Sequence, residues 1–300
     1  MSIIECAGLT KKHGRLTALN EISLAIEENK VTGLIGANGA GKTTLLKILA
    51  GFWRKTSGDV QVFSENPFNN IKISANTIFV DDEMSFPTSL TLKEILNEGQ
   101  RAYEKWDHQL ADRLFDYFSF HSNQTHDSLS KGNRSTFNMI LGLASRCSLT
   151  IFDEPTTGMD ASARKDFYRA LLKDYIAHPR SIIISSHYLD EMEDILEDVL
   201  LIEGGEKRLH MPIDELKEYA VGATGSTENI NVLANNKEVF YKKELENGRK
   251  YVVVRNEFSD GELDRSREAG IEVTPIPSSD LCVYLTNKKA GGIDDVFNND

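Results

Sequence analysis

The feature that most constrains this 300-residue chain is a glycine-rich loop, LIGANGAGKTTLLKILAG, that stands between an apolar run and an amphipathic run. Gly36, Gly41, Lys42 and Thr43 fit the spacing G-x-x-x-x-G-K-[ST]. Glycines let backbone N–H groups curl around an anion, and the start of a helix adds unpaired donors and the positive end of its dipole. The sequence therefore predicts a phosphate-binding loop between a strand and a helix, and a glycine turn that merely joins the two is the alternative.

The residues of this loop have expected roles toward a nucleotide. Lys42 would reach the β- and γ-phosphates, and the hydroxyl of Thr43 would bind Mg²⁺. The predicted phosphate contacts are Gly36, Asn38, Gly39, Ala40, Gly41, Lys42, Thr43 and Thr44. The loop therefore predicts a nucleotide whose phosphates are bridged by Mg²⁺.

A pair of carboxylates follows a second apolar run, LTIFDEP. Asp153, at the end of this predicted strand, can hold Mg²⁺ through its water shell. Glu154 can accept a proton from a water that attacks the γ-phosphate, and Pro155 ends the strand. Behind a matching phosphate loop the pair indicates hydrolysis, whereas the same pair alone is commonly a solvated strand end.

The apolar pattern predicts two kinds of strand. Alternating apolar residues near the N-terminus predict half-exposed antiparallel strands over SIIECAGL, ISLAIE and GDVQVF. VTGLI, LTIFD and SIIIS are apolar nearly throughout, as parallel strands buried on both faces should be. Residues 92–118 and the run FNMILGLASRC have helical spacing. Strands covered by helices predict an α/β core.

The composition changes after LLIEGGEKRL, which predicts a hairpin that turns at Gly204 and Gly205. VGATGSTEN has the small and polar residues of a linker, so we place a domain boundary at 219/220 and a small C-terminal α+β domain over 220–300. Within this C-terminal domain, strands are predicted over INVLA, KYVVVRN and GIEVTPI, and a helix is predicted over DGELDRSREAG. This region has no recognisable catalytic constellation.

Charge and apolar content exclude several classes of protein. A formal net charge of −12 argues against a surface for nucleic acid or anionic membrane. The N-terminus lacks the pattern of a signal peptide, and no apolar run approaches the ~18–20 residues that a membrane span needs. Cys6, Cys147 and Cys282 are odd in number and widely spaced, which favours reduced thiols over disulfides or zinc ligands. We expect a protein that is neither secreted nor membrane-spanning.

Several motifs resemble those of the ATP-binding subunits of ABC transporters, in that family's order, over residues 3–217. After the phosphate loop, LSKGN looks like the family's signature sequence, and the pair in LTIFDEP follows it. TTGMD is similar to the family's D-loop and ends in Asp160, while ISSH places His187 at the end of a strand, as the family's switch histidine is placed. The resemblance implies a P-loop NTPase fold of ABC type over residues 1–219, with an antiparallel β subdomain and a helical subdomain near 88–145.

The same resemblance implies ATP and Mg²⁺ as cofactors and a dimer that encloses two ATP molecules. Each ATP would contact the phosphate loop of one subunit and the signature of the other. The additional nucleotide contacts that it implies are Ser130, Lys131, Gly132 and Asp160. His187 would hydrogen-bond the γ-phosphate, and the implied catalytic residues are Glu154, His187 and Lys42.

Two positions depart from the family's pattern. His13 occupies the place of the aromatic residue that stacks on adenine, and its alternative is a surface turn. Asp82 stands where the family has a glutamine that touches Mg²⁺ and the attacking water. A carboxylate there can bind Mg²⁺, but it can also crowd negative charge beside the phosphate. We therefore expect Asp82 as a third metal ligand, beside Thr43 and Asp153.

The resemblance implies an ATPase subunit that powers transport through a separate membrane permease, which is the leading functional expectation. Within the family the chain looks most similar to bacterial exporters of the ABC-2 type, and this resemblance favours export and an ABC-2-type permease. The partner would be that permease together with a second ATP-binding subunit, identical or different, and no nucleic acid. The chain would be cytoplasmic and peripheral on the inner face of the membrane. The alternatives are a regulatory nucleotide-binding subunit with weak hydrolysis, which Asp82 motivates, and a soluble ABC ATPase that acts outside transport.

Overall fold

A computed structural model describes residues 1–286 of the chain as two compact units, and the division falls between His210 and Met211. The predicted boundary at 219/220 therefore lies inside the second unit. The strands of the first unit are β1 (Ser2–His13), β2 (Leu16–Glu27), β3 (Val31–Ile35), β4 (Ser57–Val62), β5 (Thr77–Val80), β6 (Leu149–Asp153), β7 (Ser181–Ser186), β8 (Asp198–Glu203) and β9 (Glu206–Pro212). Its helices are α1 (Lys42–Leu49), α2 (Ile71–Asn76), α3 (Leu92–Ala102), α4 (His108–Tyr117), α5 (Lys131–Ser145) and α6 (Ala161–Ala177).

An antiparallel sheet forms from the strands that have half-exposed sequences. Its order is β2-β1-β4, with Ile4 opposite both Ile26 and Val62. Apolar side chains from one face of this sheet join α1 and the larger sheet in a single hydrophobic core. The predicted antiparallel subdomain is therefore present, and its strands are the ones that the alternating pattern indicated.

A second sheet of six strands has the order β5-β6-β7-β3-β8-β9. Neighbouring strands from β5 to β8 pair in parallel, and every residue of β3, β5, β6 and β7 is buried. Such burial on both faces explains why these strands read as continuous apolar runs. The carboxyl ends of β3, β6 and β7 meet at one edge, which places the phosphate loop, Glu154 and His187 together.

The helices α3, α4 and α5 lie within the predicted helical subdomain at 88–145. Their starts are set by capping side chains: Thr91 and Glu94 form a reciprocal capping box, and Asp107 and Ser130 accept N–H groups of the first turns. No helix within residues 1–286 is long and apolar enough to cross a membrane.

The second unit contains α7 (Ile213–Glu218), β10 (Ala220–Ser226), α8 (Thr227–Ala234), β11 (Val239–Leu245), β12 (Arg249–Arg255), α9 (Asp260–Glu268), β13 (Glu272–Pro275) and α10 (Ser278–Thr286). Its sheet has the order β11-β12-β10-β13, and each neighbouring pair is antiparallel. Two β-α-β units interlocked in this order form the split, ferredoxin-like arrangement. The small α+β domain predicted here has this architecture.

Two predictions about this unit were wrong. The supposed linker VGATGSTEN supplies β10, and its glycines reflect close packing, since a Cβ on Gly222 would lie 2.9 Å from the Tyr251 ring. INVLA belongs to α8 and not to a strand. Ser226 caps this helix, and Ile230 and Leu233 lie three residues apart and both pack on the core, which is the spacing of a helix.

Candidate functional site

The phosphate loop connects β3 to α1, as its sequence predicts. Gly41 has φ 107°, and a Cβ on it would lie 2.6 Å from the carbonyl oxygen of Ala18. A Cβ on Gly36 would lie 2.4 Å from the carbonyl oxygen of Ile202. Both positions therefore require glycine, and the backbone can form a cradle that a side chain would fill. Asn38 and Gly39 are exposed at the tip of the loop, while Ala40 is buried beneath it.

Lys42 is the first residue of α1, and only 5% of its side chain is exposed. Its ammonium group donates to the carbonyl oxygen of Gly36 at 2.6 Å and lies 3.2 Å from Oε1 of Glu154. Thr43 is exposed and Thr44 is half-buried on the same first turn. The loop, the lysine and the carboxylate are therefore already assembled in one place.

Asp153 is the last residue of β6 and Glu154 follows the strand. A serine of the neighbouring strand β7 contacts both residues. The hydroxyl of Ser185 donates to Oδ1 of Asp153 and accepts the backbone N–H of Glu154 at 2.9 Å. Glu154 has φ 48°, which is a left-handed conformation that costs energy for a residue with a side chain. Ser185 was not among the predicted site residues, although a polar side chain in the apolar run SIIIS is the signal that could have identified it.

His187 contacts the carboxylate of Glu154, since its Nδ1 lies 2.9 Å from Oε2. Glu154 is therefore held between the ammonium group of Lys42 and the imidazole of His187. The three residues predicted to be catalytic form one continuous network, although they come from α1, the end of β6 and the end of β7.

The signature residues lie at the start of α5. The hydroxyl of Ser130 accepts the N–H of Asn133 at 3.3 Å and caps this helix. A Cβ on Gly132 would lie 2.3 Å from the carbonyl oxygen of Gly158, so the signature is packed directly against the turn between β6 and α6. The carboxylate of Asp160 accepts two N–H groups at the start of α6.

The turn between β6 and α6 is also hydrogen-bonded to α5 and to Glu154. The hydroxyl of Ser135 donates to the carbonyl oxygen of Thr157 at 2.7 Å, and the hydroxyl of Thr157 donates to the carbonyl oxygen of Glu154 at 2.8 Å. A short chain of hydrogen bonds thus connects the signature helix to the backbone of the candidate general base.

The structure places Asp82 and His13 in contacts that the sequence did not predict. The carboxylate of Asp82 lies 3.0 Å from the ammonium group of Lys131. His13 is exposed, and its ring meets that of Trp53 edge to face, with 5.1 Å between the ring centroids. Trp53 follows α1, and its position 40 residues after His13 gives no local signal that the two rings meet.

The donor set fits a magnesium nucleotide. Within residues 1–286, no group of three or more His, Cys, Asp or Glu side chains is arranged to hold a metal ion. Mg²⁺ bound with a nucleotide typically takes only one or two protein ligands, beside phosphate oxygens and water. Asp153, which is 4% exposed at the end of β6, and the hydroxyl of Thr43 supply oxygens of the required kind.

Comparison with known protein families gives a match to the ABC transporter family model over residues 19–157. The ATP-binding protein YtrB of Bacillus subtilis is 29% identical over 72% of this chain and 74% of its own length. YdbJ, an uncharacterized ABC transporter ATP-binding protein of Bacillus subtilis, is 29% identical over 98% of this chain and 94% of its own length. The bacitracin transport ATP-binding protein BcrA of Bacillus licheniformis is 28% identical and covers 72% of each chain.

Solved structures show the same fold. An ATP-binding subunit of an ABC transporter superposes with a TM-score of 0.64 over 72% of this chain and 92% of that chain, at 20% identity. The dimeric cassette MJ0796, in a post-hydrolysis state bound to ADP and Pi, gives a TM-score of 0.62 over 70% of this chain and 98% of that chain, at 19% identity.

Fold and site together define an ATPase built on an ATP-binding cassette. The chain contains an ABC transporter domain, and the relatives it matches are ATP-binding proteins of ABC transporters. These findings confirm the resemblance, the ABC-type fold and the ATPase activity that the motifs implied. Subunits of this family dimerise and work with membrane permease components.

Proposed function

We propose that two copies of this cassette, or one copy and a similar subunit, enclose two ATP molecules and power export through an ABC-2-type permease. The observation that carries the hydrolytic part is the network in which Lys42 and His187 hold the carboxylate of Glu154 from two sides. Similarity to a bacitracin transport protein supports the transport of a peptide or cell-envelope substrate. The chain would then lie on the cytoplasmic face of the membrane, held there by the permease.

The proposed chemistry gives each residue of the network one task. Lys42 holds the β- and γ-phosphates in the cradle of the loop, where Gly36, Gly41 and the other loop residues offer backbone N–H groups. Glu154 accepts a proton from the attacking water, and His187 fixes the orientation of that carboxylate while facing the γ-phosphate. Bound Mg²⁺, held by Thr43 and Asp153, would offset negative charge on the phosphates.

The remaining site residues have proposed roles at the edges of the nucleotide. His13 would stack on adenine, with Trp53 supporting its ring. Ser130, Lys131 and Gly132 would contact the ATP of the second subunit, and Asp160 would border it. Asp82 is proposed as a metal contact, in competition with its bond to Lys131. Helices α3 and α4, which follow the Asp82 segment, would receive a cytoplasmic helix of the permease.

Co-expression with a candidate permease, a membrane protein with about six spans from a neighbouring gene if one is found there, tests the transport part. We expect this chain to co-purify in detergent with that tagged membrane protein, and its ATPase rate to rise several-fold after reconstitution in liposomes. The matched control is the same preparation with an unrelated tagged membrane protein. A chain that stays in the soluble fraction with an unchanged ATPase rate would favour the ABC ATPase that acts outside transport.

Removal of the second unit tests whether nucleotide binding belongs to the first unit alone. The phosphate loop, the carboxylate pair and the signature all precede Met211. A chain that ends after Pro212 retains β9 and should keep its ATP affinity within about threefold, which is a change of roughly 0.6 kcal/mol in binding free energy. Calorimetry with ATP measures the affinity, and circular dichroism verifies folding. A folded truncated protein that no longer binds ATP would assign part of the nucleotide site to the second unit.

A further inference from the structure

Three consecutive carboxylates after β5, the acidic triplet Asp81, Asp82 and Glu83, are held from two sides by lysines of different helices. Lys47 of α1 lies 3.6 Å from Oδ2 of Asp81 and 2.9 Å from Oε2 of Glu83. Lys131 of α5 lies 3.0 Å from Oδ2 of Asp82. Alternate side chains of this segment thus bind the helix of the phosphate loop and the helix of the signature.

A second contact fixes the acidic triplet to α5. The side-chain amide of Asn138, which is buried, donates to the backbone carbonyl oxygen of Asp81 at 3.1 Å. The side-chain oxygen of Asn138 lies 2.9 Å from Nε2 of the buried His126. Asn138 follows Lys131 by seven residues, which is two helical turns, so both side chains extend from the same face of α5. The backbone of the triplet is therefore held by Asn138 even when the bond to Lys131 opens.

The backbone at Lys131 is fixed, whereas more than half of its side chain is exposed. Ser130 caps the helix, and Gly132 lies against the carbonyl oxygen of Gly158 without room for a Cβ. The side chains of Lys131 and Asp82 are 55% and 40% exposed, so their bond is partly hydrated and opens at low cost. Lys131 can therefore change partners without any movement of α5.

We propose that Lys131 exchanges its partner when the dimer forms: Asp82 holds it in the separate subunit, and the γ-phosphate bound to the second copy takes it over. This inference rests on the proposed head-to-tail dimer. A phosphate with several charged oxygens attracts an ammonium group more strongly than one exposed carboxylate does. Asp82 is thus a positioning residue that competes with the partner's ATP for Lys131, and ATP has to displace it before the dimer closes.

The test measures the ATP concentration at which half of the protein is dimeric, by sedimentation velocity with Mg²⁺ at about 50 mM salt, where screening is modest. All variants carry Glu154→Gln, so that ATP is retained. Asp82→Asn removes the competing charge but keeps a side-chain oxygen that can face Mg²⁺. It should lower this concentration roughly 3–10-fold, because an exposed ion pair contributes about 0.2–1 kcal/mol and a dimer contains two such pairs. Lys131→Gln should raise it, since the phosphate loses a contact.

The double variant Asp82→Asn/Lys131→Gln decides how Asp82 acts. If Asp82 works through Lys131, the double variant matches Lys131→Gln alone. If Asp82→Asn lowers the ATP concentration equally with and without Lys131, Asp82 repels phosphate directly and the exchange is overturned. Asp82→Glu keeps the carboxylate and should restore the behaviour of the background protein.

A matched control is Asp112→Asn. Asp112 forms another half-exposed ion pair of the helical subdomain, in which its Oδ1 lies 2.6 Å from Nζ of Lys93. This substitution should leave the ATP dependence unchanged. A background protein that stays monomeric at all ATP concentrations would contradict the dimer of two identical copies in the proposed function. A background protein that dimerises, with Asp82→Asn unchanged from it, would contradict only the exchange of partners.

Discussion

Replacing Glu154 by glutamine should stop ATP turnover while leaving ATP binding intact. The amide keeps the shape of the side chain between Lys42 and His187, but it cannot accept the proton of the attacking water. We expect the rate of phosphate release to fall by roughly 10²–10⁴-fold, which is the contribution of a general base. Because ATP then remains bound, the dimer should accumulate and elute as a separate species in size-exclusion chromatography with ATP and Mg²⁺.

Glu191→Gln is the matched control for this substitution. Glu191 also pairs with a cation, since its Oε1 lies 3.3 Å from Arg164, and its exposed fraction of 28% is close to the 25% of Glu154. Its replacement should leave turnover within about twofold, as expected for a surface pair. A Glu154→Gln protein that turns over at the unmodified rate and remains monomeric would contradict the assignment of Glu154 as the base.

The largest expected effect on stability comes from Asp174→Ala in α6. Asp174 is 4% exposed, and its two carboxylate oxygens lie 2.7 Å from Nη1 of Arg180 and 3.2 Å from Nη2 of Arg146. Removing the carboxylate leaves the guanidinium group of Arg180, which is itself 5% exposed, buried without its counter-ion. We expect the free energy of unfolding to fall by about 3–5 kcal/mol, the cost of breaking a buried pair by removing one partner.

Thermal unfolding followed by circular dichroism measures this effect. For a unit of this size the loss corresponds to a melting temperature lower by roughly 6–20 °C. Asp59→Ala serves as control, because Asp59 forms a comparable contact of 2.9 Å with Lys55 while 84% of its side chain is exposed. Equal melting temperatures for the two variants would show that the buried cluster contributes no more than a surface pair.

Much of the first unit could be predicted because its signals are local. The continuous apolar runs of β3, β6 and β7 report burial on both faces, and the spacing of the phosphate loop fixes its position between β3 and α1. Since parallel strands end at one edge, the motifs place Lys42, Glu154 and His187 at the same edge of the sheet, and the strand order β6-β7-β3 makes them neighbours there.

The contacts that were missed join residues that are distant in sequence. Nothing local indicates that Lys131 meets Asp82, or that Trp53 meets His13, because each contact depends on how whole elements pack. The wrong predictions in the second unit have a related cause. Small residues indicate a linker by composition, yet Gly222 and Gly225 are small because Tyr251 and Ile271 lie over them in the folded sheet.

The hydrogen bonds that run from Ser135 through Thr157 to Glu154 have a consequence for the kinetics of a dimer. In the proposed dimer, Glu154 would serve the ATP on its own subunit, whereas the signature at the start of α5 would serve the ATP on the other. A shift of the Glu154 turn during one hydrolytic event would therefore reach the opposite nucleotide. Two such sites would act cooperatively, with sigmoidal dependence of the rate on ATP concentration, and damage to one site would slow its intact neighbour.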